Sequence, residues 1–256
     1  ALKMGRLVQY DYYPLLTHLN AEEEDDWTRL TKRIVNYLRI NKIEGKNFKA
    51  DRQLSTMLIN RARIAKKARS KVNVVTETVM NSYNQGEFWL VYCEDSEQLN
   101  EINERLVNQE FNTFIYTSEM DGSPAGELEA FTTQSGVLLS IRCLDEGVDI
   151  PKISHAIIAA SSQNPRQFIQ RRGRVLRRYP DKLNAVIYDC IVAPASTSSE
   201  ISCDGLISSE IIRAIEFAQT ARNSISADST LRNILIRLGD DPDEFLSKLD
   251  GDMENE

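Results

Sequence analysis

The sequence has few cysteines and histidines and no long apolar run. Its four cysteines show no CxxC spacing, and its two histidines, His18 and His155, lie far apart, so a metal site has little support. No stretch approaches the roughly 18 apolar residues of a membrane span, and no signal peptide is recognisable. Three cysteines lie in apolar, strand-like segments, which favours buried, reduced thiols and a cytosolic protein.

A positive net charge is lacking as well. The formal net charge of −7 argues, taken alone, against extensive nucleic-acid binding. The charge is unevenly distributed, because residues 22–26 and the C-terminal tail are acidic. Residues 46–71, in contrast, contain nine Lys or Arg and one acid, Asp51. A negative total can therefore hide a local basic track.

The order of periodic segments predicts an α/β fold. A capping box at Asn20 and Glu23 predicts a helix over roughly residues 21–40, and an apolar stripe predicts a longer basic helix over about 51–83. Between residues 85 and 195, short apolar runs alternate with amphipathic segments, which is typical of a parallel sheet covered by helices on both faces. We therefore expect three regions: a helical connector at 1–84, the sheet domain at 85–195 and a helical extension with an acidic tail at 196–256.

The stretch NPRQFIQRRGRVLRRYP, residues 164–180, carries six arginines. Its Asn-Pro start predicts a helix, on which Gln170, Arg174 and Arg177 share the face opposite the apolar side chains. Periodicity alone favours a solvated face. Gly173 inside a helix costs roughly 1 kcal/mol relative to Ala, however, and therefore needs a reason. Guanidinium groups at 174 and 177, one turn apart, suit a polyphosphate.

Three motifs carry a resemblance to a known family. QRRGRVLR, residues 170–177, resembles motif VI of superfamily 2 helicases, which are RNA and DNA translocases. SIRCLDEGVDIP at 140–151 resembles their motif V, and FWLVYCED at 88–95 resembles motif IV. The flanks are similar, more loosely, to bacterial DEAD/DEAH-box helicases of the restriction and phage-defence type. The resemblance implies that residues 85–195 form a RecA-like lobe, the second of two, and that residues 1–84 connect the lobes.

The resemblance also implies roles for individual residues. Arg174 and Arg177 match the arginine fingers that reach the γ-phosphate of ATP bound on the other lobe, where a positioned cation is worth about 10³ to 10⁵ in rate. The positions expected to border the nucleotide are Glu146, Gly147, Asp149 and Gln170. The candidates for nucleic-acid contact are Cys93, Ser140 and Arg142, with Arg61, Lys66 and Lys67 on the basic helix.

Several positions leave alternatives open. Many relatives have Thr where this chain has Ile141, so Ser140 or Arg142 would have to replace a phosphate contact. Arg172 falls within the apolar arc of its helix and needs a carboxylate partner or a bend at Gly173. The basic helix could track phosphates, or it could be a solvated face whose apolar stripe is docked; the sequence favours the second interpretation.

The elements that bind ATP in such helicases are missing. The sequence contains no GxxxxGK[ST] and no strand-end Asp-Glu pair for Mg²⁺. We therefore expect a piece of a longer helicase or translocase, acting on DNA rather than RNA, with ATP and Mg²⁺ bound mainly by an N-terminal RecA-like lobe. Alone, the chain should be inactive. The alternative is a non-catalytic nucleic-acid or protein-binding module with a RecA-like fold. The sequence gives no indication of the oligomeric state.

Overall fold

A single parallel sheet organises the structure. The computed structural model describes residues 7–41, 51–117, 123–141, 150–160, 175–193, 205–238 and 241–253. Within them, six strands form a sheet in the order β1-β6-β5-β2-β4-β3, and each neighbouring pair is parallel. The strands are β1 (Gln9–His18), β2 (Phe88–Cys93), β3 (Thr113–Tyr116), β4 (Gly136–Ile141), β5 (His155–Ile158) and β6 (Asn184–Ala193). The predicted α/β fold with a parallel sheet is confirmed.

Helices connect and cover these strands. In chain order they are α1 (Ala21–Asn41), α2 (Arg52–Lys66), α3 (Arg69–Ser82), α4 (Ser96–Val107), α5 (Pro124–Gln134), α6 (Gly205–Thr220), α7 (Ser224–Arg237) and α8 (Pro242–Met253). None of these helices is long and apolar enough to cross a membrane. The arginine-rich helix predicted from residue 164 lies mostly outside the described residues.

The side chains of β2 alternate between two hydrophobic cores. Trp89 and Val91 pack in a core with α3 and α4, whereas Leu90 and Tyr92 belong to the core that α5, α6 and α7 complete. This alternation follows from the two-residue period of a strand. Both faces of the central strand are buried, as expected for a parallel sheet with helices on each side.

The sequence pattern does not predict strand β1 and places its residues in the helical connector. It pairs with β6 along its whole length, from Gln9 opposite Asn184 to His18 opposite Ala193. Pro14 has no N–H to donate to a neighbouring strand, but an edge strand tolerates proline. The region boundaries at residues 84 and 195 stay predictions, although β1 and the C-terminal helices share a core with the sheet.

The turn between α6 and α7 covers the outer edge of β1. The Arg222 N–H donates to the Tyr10 carbonyl at 2.8 Å. The Tyr12 N–H donates to Asn223 Oδ1 at 2.8 Å, and Asn223 Nδ2 donates to the Tyr12 carbonyl at 2.9 Å. The side-chain amide of Asn223 therefore makes the two hydrogen bonds that a neighbouring strand would make.

A buried ion pair fixes α6 to the sheet. Arg213 Nη2 lies 3.0 Å from Asp189 Oδ1 and 3.1 Å from Oδ2, and the Tyr12 hydroxyl donates to Oδ2 at 2.9 Å. The Asp189 side chain is fully buried. Burial raises the pKa of this carboxyl, and the neighbouring Arg213 guanidinium opposes the rise. Three elements, β1, β6 and α6, thus meet at one carboxylate.

The predicted long helix over 51–83 is wrong, because α2 and α3 are separate. The chain is extended at Ala68, with φ −47° and ψ 124°. Glu23 stabilises the break: its Oε1 accepts the Arg69 N–H at the start of α3, and its Oε2 accepts the Asn20 N–H, both at 2.9 Å. The Asn20–Glu23 capping box is confirmed, since Asn20 Oδ1 also accepts the Glu23 N–H. One carboxylate therefore caps two helices.

We expect Glu23→Ala to lower the free energy of unfolding by about 1 kcal/mol, because two backbone N–H groups at helix starts lose their acceptor. Urea unfolding followed by circular dichroism measures this. Glu22→Ala is the matched control, since Glu22 is exposed and carries the same charge in the same turn. Equal losses in the two variants would show that Glu23 acts through the charge at the helix start rather than through capping.

Candidate functional site

The described parts of the three motifs lie at two opposite edges of the sheet, where the strands end and where they start. Because the strands are parallel, all of them end at one edge and start at the other. Strands β2 and β4 end side by side at Cys93 and Ile141, which brings motif IV next to the start of motif V. Pro151 and Lys182 lie shortly before the starts of β5 and β6. A six-residue strand rises about 20 Å, at roughly 3.3 Å per residue, so the two edges are well separated.

At the carboxyl edge, the strand residues proposed for nucleic-acid contact are buried. Cys93 is 3% exposed and Ser140 is fully buried. Burial raises the pKa of the Cys93 thiol, which keeps it protonated. The Ser140 hydroxyl has no hydrogen-bond partner in the part of the chain that the structure describes. In this arrangement neither side chain is presented to a phosphate at the surface.

The candidates on the basic helix make internal contacts. Arg61 is 5% exposed, and its guanidinium lies 5.1 Å from the centre of the Trp27 ring on α1. Lys67 Nζ lies 2.8 Å from both Asp95 Oδ2 and Glu97 Oε2, and these hydrogen bonds raise the pKa of Lys67.

Lys66 makes a similar but longer contact, with its Nζ 3.8 Å from Glu94 Oε2. Asp95 also caps α4 by accepting the Gln98 N–H. The cations at the end of α2 therefore dock this helix on the start of α4. This arrangement favours the interpretation in which the apolar stripe is docked, rather than a phosphate track.

At the opposite edge, the end of motif VI is held by the backbone. Arg177 is exposed and forms an isolated antiparallel bridge with Leu7. The Val8 N–H donates to the Leu176 carbonyl at 2.8 Å. Val175 and Leu176 are buried in the larger core, so the segment Val175–Arg177 has two buried side chains beside an exposed residue.

Lys182 was not among the predicted site residues. Its Nζ donates to the Val175 carbonyl at 2.5 Å and to the Pro151 carbonyl at 3.2 Å. The lysine thereby joins the end of motif V to the end of motif VI. A single lysine after a Tyr-Pro-Asp turn carries no sequence signal for such a contact, because both acceptors are backbone atoms.

Six predicted site residues lie outside the described part of the chain, and their roles stay predictions. They are Arg142, Glu146, Gly147, Asp149, Gln170 and Arg174. Among the residues that are described, no group of three or more His, Cys, Asp or Glu side chains could hold a metal ion.

Comparison with known families identifies the central part of the chain. Residues 70–179 match the model of the helicase conserved C-terminal domain, less than half of the chain but including all three motifs. No curated protein sequence matches the chain.

Solved structures with a similar fold include parts of ATPases. The chain is similar to T4 UvsW, with 14% identity and a TM-score of 0.54 over 84% of this chain and 40% of that one. The chain is also similar to a Sulfolobus solfataricus SWI2/SNF2 ATPase core in complex with dsDNA. The identity is 12% and the TM-score 0.55, over 87% of this chain and 49% of that one. For the C-terminal part of the Fun30 ATPase domain, the identity is 12% and the TM-score 0.55, over 90% of this chain and 97% of that one. The chain thus spans less than half of the first two structures.

These findings confirm the predicted RecA-like fold class and the resemblance to C-terminal lobes of superfamily 2 helicases. At such low identities the likeness to solved structures shows the fold alone. The suggested closeness to restriction and phage-defence helicases stays a prediction.

We expect Lys67→Glu to lower the free energy of unfolding by about 1 kcal/mol, because it places a third carboxylate beside Asp95 and Glu97. Arg63→Glu, at an exposed position of the same helix, should cost less. The salt dependence of nucleic-acid binding should stay unchanged in Lys67→Glu. A drop of about 1 in the log–log slope would instead assign Lys67 to the phosphate track.

Proposed function

We propose that this chain, which contains a helicase conserved C-terminal domain, is the second motor lobe of an ATP-dependent nucleic-acid helicase or translocase. The domain match at residues 70–179 is the observation that carries the proposal. DNA is the preferred substrate class, because a similar ATPase core was solved in complex with dsDNA. The other lobe is an N-terminal RecA-like lobe of the same protein.

Arg177 is the proposed arginine finger among the described residues. Arg177 is an exposed residue, while the segment that carries it is fixed by the Val8–Leu176 hydrogen bond and by two buried neighbours, Val175 and Leu176. A cation held on a rigid segment stabilises charge on a transferring phosphoryl group without reorganising at the moment of reaction. Arg174, the other proposed finger, precedes Val175 directly in the sequence.

ATP and Mg²⁺ are proposed to bind mainly to the N-terminal lobe, with hydrolysis supplying the free energy for movement. In this chain, Glu146, Gly147, Asp149 and Gln170 are the proposed nucleotide-bordering residues. Closure of the two lobes would bring Arg177 to the γ-phosphate, and reopening would withdraw it. The site is therefore shared between the lobes.

Nucleic acid is proposed to bind at the carboxyl edge of the sheet, away from the nucleotide edge. With Cys93 and Ser140 buried and Lys67 paired to carboxylates, Arg142 is the strongest side-chain candidate there. Separate edges for the two ligands allow lobe movement driven at one edge to displace a strand held at the other.

We expect Arg177→Ala to reduce the kcat of nucleic-acid-stimulated ATP hydrolysis by about 10³-fold, with little change in KM, in the protein that also contains the N-terminal lobe. Arg174→Ala should act in the same way. Arg178→Ala is the matched control, because Arg178 is an exposed neighbour that matches no motif position. Unchanged stimulated turnover in both Arg174→Ala and Arg177→Ala would refute the finger assignment.

We expect the chain on its own to hydrolyse no ATP, because the phosphate-binding loop and the Asp-Glu pair belong to the other lobe. Phosphate release by the purified chain, with and without DNA, measures this. The Arg177→Ala chain serves as the control for contaminating ATPases. Turnover that is present in the wild-type chain and absent from that variant would contradict the proposed division of the site.

A further inference from the structure

We propose that Lys182 is a positioning residue that holds the end of motif VI, and with it Arg177, against the end of motif V. Its catalytic consequence rests on the function proposed above. The contact itself is a property of the fold and can be tested separately.

The geometry of one ammonium group carries the inference. Lys182 Nζ contacts two carbonyl oxygens from distant parts of the chain, that of Val175 at 2.5 Å and that of Pro151 at 3.2 Å. An ammonium has three N–H donors and can satisfy both acceptors at once. Val175 lies two residues before Arg177, and Pro151 lies two residues after Asp149. A shift of one motif end relative to the other would therefore break one of the two hydrogen bonds from Lys182.

The backbone around Lys182 holds the side chain in place. The Lys182 N–H donates to the Tyr179 carbonyl at 3.1 Å, and Asp181 has a positive φ of 67°. With Pro180 in the second position, this geometry corresponds to a type II β-turn. Strand β6 begins two residues later, so the lysine is attached to the sheet by a short, defined link.

The charge of Lys182 suits its two acceptors. Burial lowers the pKa of Lys182 to about 8, so the ammonium form still predominates at pH 7. Hydrogen bonds from a charged donor are roughly twice as strong as neutral ones.

Lys152 provides a matched control beside Pro151, one of the two acceptors of Lys182. It follows Pro151 directly, and its Nζ donates to the Thr132 carbonyl of α5 at 2.8 Å. The same ammonium lies 5.4 Å from the centre of the Phe88 ring and 5.8 Å from that of Tyr179. Both lysines thus hold a backbone carbonyl, but the hydrogen bond of Lys152 goes to α5 instead of Val175.

The kinetic test uses the protein that contains this chain together with its N-terminal lobe. We expect Lys182→Met to lower the kcat of stimulated ATP hydrolysis about 10-fold while the KM for ATP changes less than about 2-fold, because a small displacement of Arg177 affects the transition state more than binding. Lys182→Arg, which keeps a charged donor, should restore kcat to within about 3-fold of wild type. Lys152→Met should stay within about 2-fold.

A second measurement on the chain itself does not depend on activity. Hydrogen exchange at the Val8 amide reports the Val8–Leu176 hydrogen bond next to the segment that Lys182 holds. We expect faster exchange in Lys182→Met than in wild type, Lys182→Arg or Lys152→Met, with thermal melting confirming that all variants are folded.

The outcomes separate the two proposals. Equal kinetics in Lys182→Met and Lys152→Met, or unchanged Val8 exchange in Lys182→Met, would overturn the positioning role. If the wild-type protein hydrolyses no ATP, or if Arg177→Ala behaves as wild type, the proposed function fails, and the catalytic role of Lys182 fails with it. The Val8 exchange rate would then still decide whether Lys182 anchors the segment.

Discussion

The carboxylate of Asp189 lies where three elements of the fold meet. It is fully buried and is held by Arg213 of α6 and by the Tyr12 hydroxyl of β1. Removing one partner of a buried ion pair typically costs about 3–5 kcal/mol, so separating α6 from β6 would leave an unpaired charge in the core. The Tyr12 hydroxyl adds a hydrogen bond from β1, which pairs with β6 along its whole length. The residues just before β1, Leu7 and Val8, then lie against the end of motif VI.

The parallel strands divide the three motifs between two edges of the sheet. The parallel sheet carries the ends of motif IV and the start of motif V at one edge, and the ends of motifs V and VI at the other. The end of motif VI accepts one backbone hydrogen bond from Val8, and the Lys182 ammonium contacts both motif ends, while Arg177 stays exposed. The function proposed above uses this arginine at a nucleotide bound by a second lobe.

Local patterns predicted much of this, and long-range contacts account for what they missed. The apolar run ending at Cys93 predicted a buried parallel strand because its pattern is local. The break between α2 and α3 depends on Glu23, which is distant in sequence from Arg69 and gives no sign at the break itself. The sequence around Arg61 is typical of a surface cation, but in the structure its guanidinium lies over the Trp27 ring of α1. The motif roles could be assigned by resemblance, whereas a lysine that bonds only backbone carbonyls leaves no motif.

The Asn223 amide beside β1 has a consequence for behaviour at high concentration. An uncovered edge strand is a template on which another chain can add a strand, the first step of domain swapping or amyloid-like growth. On β1, the Tyr10 carbonyl is already bonded to Arg222, and the Tyr12 N–H and carbonyl are already bonded to Asn223. The opposite edge is the four-residue strand β3, too short to offer a long template. Within the described residues, the longer edge of the sheet is thus protected against strand addition at Tyr10 and Tyr12.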